Sequence, residues 1–226
     1  MQSDLAPAPF WRRIMWTFVA PARLGDEVAE HPRWAAAMVL GAVVTAVASL
    51  LIPVELWQEM MRAQFVATGQ EPPPGAAEMG ASFFRAWAIG GGTIFWAVWI
   101  FLVAGVATVA FAFLLGDSGR YRQYLAGTSH ALLIAAAGGL LTVPLRIAAS
   151  DPALTLSVGT FFGDLGSGYV ARLLSSLDLF LLWSVFVLAI AASRIDRGRS
   201  VGSAAGVLYV MVLGVMALMA LIPRPT

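Results

Sequence analysis

The chain has 226 residues, of which 59% are hydrophobic and only 12% charged, and its mean hydropathy is +0.80. That balance excludes an ordinary soluble domain and makes a bilayer the expected solvent. A net charge of +1 leaves no general polyanion-binding surface, so nucleic acid is not an expected partner, and the absence of cysteine rules out disulfides, thiolate metal ligands and a cysteine nucleophile.

Residues 1–33 read as a cytoplasmic interfacial segment. Pro7, Pro9, Pro21 and Pro32 interrupt it, and it lacks the apolar core of a secretory signal. Phe10, Trp11, Ile14, Met15, Phe18 and Val19 fall on one half of a helical wheel, with Arg12 and Arg13 opposite. This is the pattern of an amphipathic helix lying on the inner leaflet. Phe10, Trp11, Arg12, Arg13 and Phe18 are its candidate membrane-surface residues.

A hydrocarbon core about 30 Å thick takes roughly 20 apolar residues in a helix. Five segments meet that requirement. The first, 34–52, lies between Pro32 and Pro53. After it, Val54, Trp57, Met61 and Phe65 recur at helical spacing up to Pro72, Pro73 and Pro74, which predicts an outer surface helix followed by a stiff linker. The second, 86–115, is too short for two crossings and reads as one long or tilted helix. The third, 124–148, carries His130 near one end and Pro144 and Arg146 near the other. The fourth, 173–193, places Asp178 one to two turns inside, and a short charged connection joins it to the fifth, 201–222.

The expected architecture is therefore all-α: a polytopic membrane bundle of five transmembrane helices over residues 34–222, preceded by the interfacial helix and followed by a tail, 223–226. All fourteen basic residues are arginines, and the five spans put nine on the N-terminal side and five on the other. The positive-inside rule then places the N-terminus in the cytoplasm and the C-terminus outside.

Small residues mark two candidate packing faces, one containing Gly41 and Thr45 and the other Gly202, Gly206 and Gly214. Such faces let helix backbones approach closely, and packing within the chain is favoured over self-association. His130, Arg146 and Asp178 are candidate intramembrane polar residues, with Arg146 and Asp178 the best placed to pair. No catalytic constellation emerges. Ser129 and His130 are adjacent and diverge by about 100° on a helix, a single intramembrane Asp makes no acid dyad, and His31 and His130 form no metal motif. No cofactor or metal is expected.

Three stretches, in order, carry a likeness to a known family. They are Phe10-Trp11 through Pro21 with Glu30-His-Pro-Arg-Trp34, then Leu115-Gly-Asp-Ser-Gly-Arg-Tyr-Arg-Gln-Tyr-Leu125, then Asp178-Leu-Phe-Leu-Leu-Trp183. Together they resemble the Yip family, the Ypt-interacting proteins with a five-span membrane domain, in its bacterial form. The resemblance implies five spans, a cytoplasmic N-terminus and residence in the bacterial inner membrane. The chain departs from the eukaryotic pattern in lacking a long N-terminal domain and an Asp-Leu-Tyr-Gly-Pro motif, so GTPase binding does not carry over. The expected function is that of a non-enzymatic membrane organiser or adaptor engaging lipids, other membrane proteins or a second copy of itself. The alternative is a small transporter or channel component with a polar path near His130, Asp178 and Arg146.

Overall fold

The computed structural model describes residues 6–69, 81–152, 154–163, 165–166 and 168–222, and the regular structure among them is helical. Two short helices, α1 (Phe10–Val19) and α2 (Pro21–Glu30), precede α3 (Ala35–Leu51) and α4 (Val54–Thr68). A long helix, α5 (Ala81–Thr108), continues through a π-helical stretch, Val109–Leu114. Then come α6 (Tyr121–Leu141), α7 (Val143–Ala148), a 3-10 turn (Val158–Phe161), α8 (Tyr169–Ser176), α9 (Leu179–Ile195) and α10 (Val201–Met219).

Three helical stretches are long and apolar enough to cross a membrane: Ile89–Leu114, Tyr121–Ala148 and Val201–Met219. α3 and α9 are equally apolar in character but shorter, at 17 residues each. The stretch after Pro53 is helical as its spacing predicts, and it ends where Gly69 adopts a left-handed conformation with φ 64°. Pro72, Pro73 and Pro74 lie outside the described residues.

The third segment is helical over Tyr121–Ala148 as its apolar run predicts, with a turn at Thr142, whose hydroxyl donates to the Gly139 carbonyl at 3.1 Å, before Pro144 in the first turn of α7. The fourth differs from the sequence reading. It is broken at Leu177 and Asp178. There the backbone leaves the helix to pair with an upstream loop: Val158 N–H donates to Leu177 O at 2.9 Å, and Leu179 N–H to Leu156 O at 3.0 Å. Asp178 therefore does not lie inside a helix. It immediately precedes α9, where a carboxylate complements the positive end of the helix dipole.

The chain forms two compact units. The first comprises Met1–Gly41, Ala97–Ala135 and Leu181–Val212. Its interior is built from α6 and α9. Residues 124–134 are buried on every side, as are residues 187–193, so neither stretch shows the one-sided burial of a striped surface helix. Gly127 admits the contact between them, since a Cβ there would stand 3.2 Å from Ala191 Cβ and 3.5 Å from Leu188 Cδ1.

The second unit comprises Ala42–Trp96, Ala136–Phe180 and Leu213–Thr226. Ala48, Ile52 and Val143 form a buried cluster, covered by Leu56, Trp57 and Leu140. Gly138 sits directly beneath the Phe180 ring. Arg172 donates from Nε to the Ala220 carbonyl at 2.9 Å, satisfying an acceptor that the end of α10 leaves without a helical partner.

The candidate packing faces separate. Gly41 is buried and Thr45 half-buried, whereas no described atom lies within 4 Å of a Cβ built on Gly202, Gly206 or Gly214. Close approach occurs at Gly25 of α2 and at Gly127 and Gly138 of α6. Large apolar side chains also face outward in rows, among them Val39, Val43 and Val47 on α3, Ile94, Val98 and Leu102 on α5, and Val210 and Leu218 on α10. Exposed apolar surface on this scale belongs against hydrocarbon rather than water.

Gly138→Ala should destabilise the protein by about 1–3 kcal/mol, because the new methyl meets the root of the Phe180 ring and not a flexible tip. Thermal denaturation in detergent measures this, and Gly206→Ala, facing open space, should leave the transition unchanged.

Candidate functional site

α1 begins at Pro9, whose carbonyl accepts from Arg12 N–H at 3.1 Å and Arg13 N–H at 3.3 Å. The helix then turns its polar groups inward. Arg13 is only 4% exposed and Thr17 is fully buried, while Trp11, Met15 and Val19 are 61%, 46% and 71% exposed. Arg13 thus departs from the surface position its sequence pattern suggests. Its Nη1 donates to the Arg33 carbonyl at 3.0 Å, fixing α1 to the segment that leads into α3. Burial lowers the Arg13 pKa, an effect opposed by Glu27 and reinforced by Arg33. Arg12 stays exposed, its guanidinium carbon 5.5 Å from the Trp11 ring and 6.0 Å from Trp16. Phe10 is 37% exposed, whereas Phe18 turns edge-on to Trp183 with ring centroids 6.2 Å apart.

α2 lies against α1 and α9. Leu24 and Val28 are fully buried, and Gly25 lets the Arg194 stem approach so closely that a Cβ would stand 2.7 Å from its Cγ. The Ala8 amide donates to Glu27 Oε1 at 3.0 Å, and Gln123 of α6 donates to the Ala29 carbonyl at 2.6 Å.

Two loops meet beside these helices. The first leaves the π-helical stretch at Gly116, whose φ of 76° favours glycine, and presents Asp117. The second joins α9 to α10 and carries Asp196 and Arg199. Arg199 grips Asp117 with two parallel hydrogen bonds, Nε to Oδ2 at 2.6 Å and Nη2 to Oδ1, and the two side chains are 14% and 5% exposed. Its remaining Nη1 donates to Ser203 Oγ at 3.1 Å. Asp196 answers in the opposite direction, accepting from Ser118 N–H at 2.9 Å and Gly198 N–H at 2.8 Å.

These bonds hold the Asp196 carboxyl below the usual carboxylate range, Ser118 N–H contributing most and Gly198 N–H next. The hydrogen bonds that Arg199 donates to Asp117 raise the Arg199 pKa further. Arg199 also stands over the Phe111 ring at 5.5 Å, and Phe111 stacks on Tyr124 with centroids 5.8 Å apart. Gly119 is required at that junction, since a Cβ would meet Tyr124 Cε2 at 2.6 Å and Ile195 Cγ2 at 2.7 Å.

An open groove of about 580 Å³ lies next to the clasped loops, with Asp26 and Glu30 of α2 facing Arg194, Arg197, Arg199 and Ser200. Asp26 and Arg194 form a loose pair at 3.8 Å. The groove combines both charge signs around a space large enough for a small polar ligand.

Of the candidate intramembrane residues, His130 lies in the first unit, fully buried. Its Nδ1 is 2.8 Å from the Ala126 carbonyl and must carry the proton, because that oxygen only accepts. Among the described residues, its Nε2 and the neighbouring Thr128 hydroxyl are buried and meet no hydrogen-bond partner. Arg146 and Asp178 both lie in the second unit. Arg146 donates from Nε to the Leu154 carbonyl at 2.9 Å, and the carboxylates of Asp178 and Asp151 act on it electrostatically. The three residues do not form a shared site within either unit. Among the described residues, no three His, Asp or Glu side chains converge as a metal-ligand set.

Sequence reasoning missed Asp117, Asp196 and Arg199 as a group. Their only signal was charge complementarity between two short loops about 80 positions apart, and helical periodicity does not report on that. No family model matches the chain, and no curated protein or solved structure matches it either.

Asp117→Asn should weaken the clasp and cost about 3 kcal/mol, since it leaves a nearly buried guanidinium without its counter-charge. Arg199→Lys should recover only part of that loss, because an ammonium cannot bind both carboxylate oxygens in a planar fork. Denaturation midpoints in detergent give the comparison. Asp196 makes a pH-dependent contribution. Its folded-state pKa is depressed, so the stabilisation is present above the ordinary value of 3.8 and is lost as pH falls from there through the lower folded value. Asp196→Asn should flatten the acid side of the stability profile in that window.

Proposed function

We propose that the chain crosses a bilayer five times, through α3, α5, α6 with α7, α9 and α10, and acts as a Yip-like, non-enzymatic organiser or adaptor. Its N-terminus and clasped loops face the cytoplasm, and its C-terminus lies outside. Three of these helices have ample length, and 17 residues in each of α3 and α9 reach the lower limit for a span. The nine-to-five arginine bias supports the orientation.

The observation that carries the reading is the outward row of Trp11, Met15 and Val19 on α1. A helix with its arginine and threonine docked inward and its apolar side chains outward is suited to covering the headgroup and acyl boundary, with Arg12 reaching water. The same row offers an apolar, aromatic contact to a neighbouring membrane protein. Lipids and membrane proteins are accordingly the proposed partners, and the resemblance of Phe10 through Trp34 to the Yip pattern points the same way.

The absence of native cysteine permits clean single-site labelling. In sealed, oriented membranes, Arg120→Cys should react from the cytoplasmic side only, and Arg62→Cys and Thr226→Cys from the other side only. Position 226 labelling on the same side as 120 would overturn five crossings. A polarity-sensitive probe on Met15→Cys should report an apolar environment quenched by brominated lipid, and a photoreactive group there should capture lipid or a membrane protein. A water-like probe with no captured partner would remove the support for the adaptor reading.

A further inference from the structure

The groove beside the clasp has a charge pattern of its own. Arg194, Arg197 and Arg199 line it from the end of α9 and the following loop, and Asp26 and Glu30 line it from α2. They are unequally occupied. Arg199 is committed to Asp117 and Ser203, and Arg194 holds Asp26 only at 3.8 Å, with side chains 44% and 53% exposed. Among the described residues, Arg197 and Glu30 make no hydrogen bond or ion pair, and both are exposed. A free cation and a free anion therefore face one space of about 580 Å³.

That arrangement selects against simple ions. A bare phosphate would satisfy Arg197 and Arg194 but would bring its charge towards Asp26 and Glu30, and a bare cation would meet the converse repulsion. A ligand carrying both charges, an acidic phosphodiester joined to an ammonium, satisfies both sides. The carboxylate side favours a primary ammonium over a quaternary one, because only the former donates hydrogen bonds to Asp26 and Glu30.

We infer that this groove binds a phosphoethanolamine group, with the phosphodiester on Arg197 and Arg194 and the ammonium on Glu30 and Asp26. The inference rests on the membrane reading above insofar as a phosphatidylethanolamine headgroup is the lipid source of this chemistry. The groove opens where α9 ends and α10 begins, at the termini of two apolar helices, and a headgroup is found at that depth. Free phosphoethanolamine is the soluble source.

The test uses the full chain in nanodiscs containing equal phosphatidylethanolamine, phosphatidylcholine and phosphatidylglycerol, with retained lipid counted by native mass spectrometry. Phosphatidylethanolamine should be retained about tenfold over phosphatidylcholine, equivalent to about 1.4 kcal/mol. Arg197→Gln and Glu30→Gln should each abolish that preference while leaving the thermal midpoint unchanged, since neither side chain holds another in place. Equal retention of the two zwitterionic lipids by the unmodified chain would overturn the inference. A preference for phosphatidylglycerol that depends on Arg197 but not on Glu30 would do the same, by showing a plain anion site. Titration with soluble phosphoethanolamine separates the sources. Displacement of lipid at millimolar concentration supports the chemistry with a soluble ligand, and no displacement alongside retained lipid selectivity supports the membrane headgroup. Loss of selectivity with the position-15 probe still immersed in lipid would remove the headgroup site and leave the adaptor reading standing.

Discussion

Arg199 reaches from the α9–α10 connection to both oxygens of Asp117, and the arrangement of the first unit depends on that grip. The two loops it joins follow Phe111 and precede Tyr124 on one side, and link α9 to α10 on the other. Pairing them brings the start of α6 beside the end of α9, and the buried stretches of the two helices pack from there. The aromatic stack of Phe111 on Tyr124 lies under the guanidinium, so the charge is neutralised from one side and covered by π faces from another. Asp196 reinforces the junction chiefly through the backbone amides of Ser118 and Gly198.

Glycine supplies the second constraint. In hydrocarbon, helices gain little by hiding apolar surface from one another, and contact depends on how closely backbones can approach. Gly25 admits the Arg194 stem, Gly127 admits Ala191, and Gly119 admits Tyr124. All three lie in the first unit, where Gly25 and Gly119 face a charged and a bulky neighbour and Gly127 faces another small one. The glycines of α10 stand apart from this pattern, since they face open space in the chain.

How much of this was legible in the sequence depends on the range of the interaction. Apolar runs disclosed the helical segments, because periodicity and length are local properties, and the spacing of Val54, Trp57, Met61 and Phe65 identified α4. The break before Asp178 was not legible, because it arises from backbone pairing with residues 156–158 and not from any helix-breaking residue in the run. Arg13 was misplaced for a related reason. A helical wheel separates polar from apolar faces but does not say which face the rest of the chain covers, and here the Arg33 carbonyl recruits the arginine inward. The spacing of Gly202, Gly206 and Gly214 carries no information about a neighbour opposite, and no described atom lies within 4 Å of a Cβ built on any of the three. The groove residues Arg194, Arg197 and Arg199 were visible only as topological charges, since their opposition to Asp26 and Glu30 exists only once α2 is folded beside α9.

The unequal lengths of the helices bear on the lipid around the protein. α5 runs without a break into its π-helical extension, giving the 26-residue apolar stretch Ile89–Leu114, whereas α9 is held to 17 residues by the diverted backbone at Leu177 and Asp178. A long span meets a given hydrocarbon thickness by tilting, but a short one draws the surrounding leaflets inward. In the five-span arrangement proposed above, the diverted backbone at the start of α9 thus amounts to a setting for hydrophobic mismatch, one that favours a thin bilayer over a thick one.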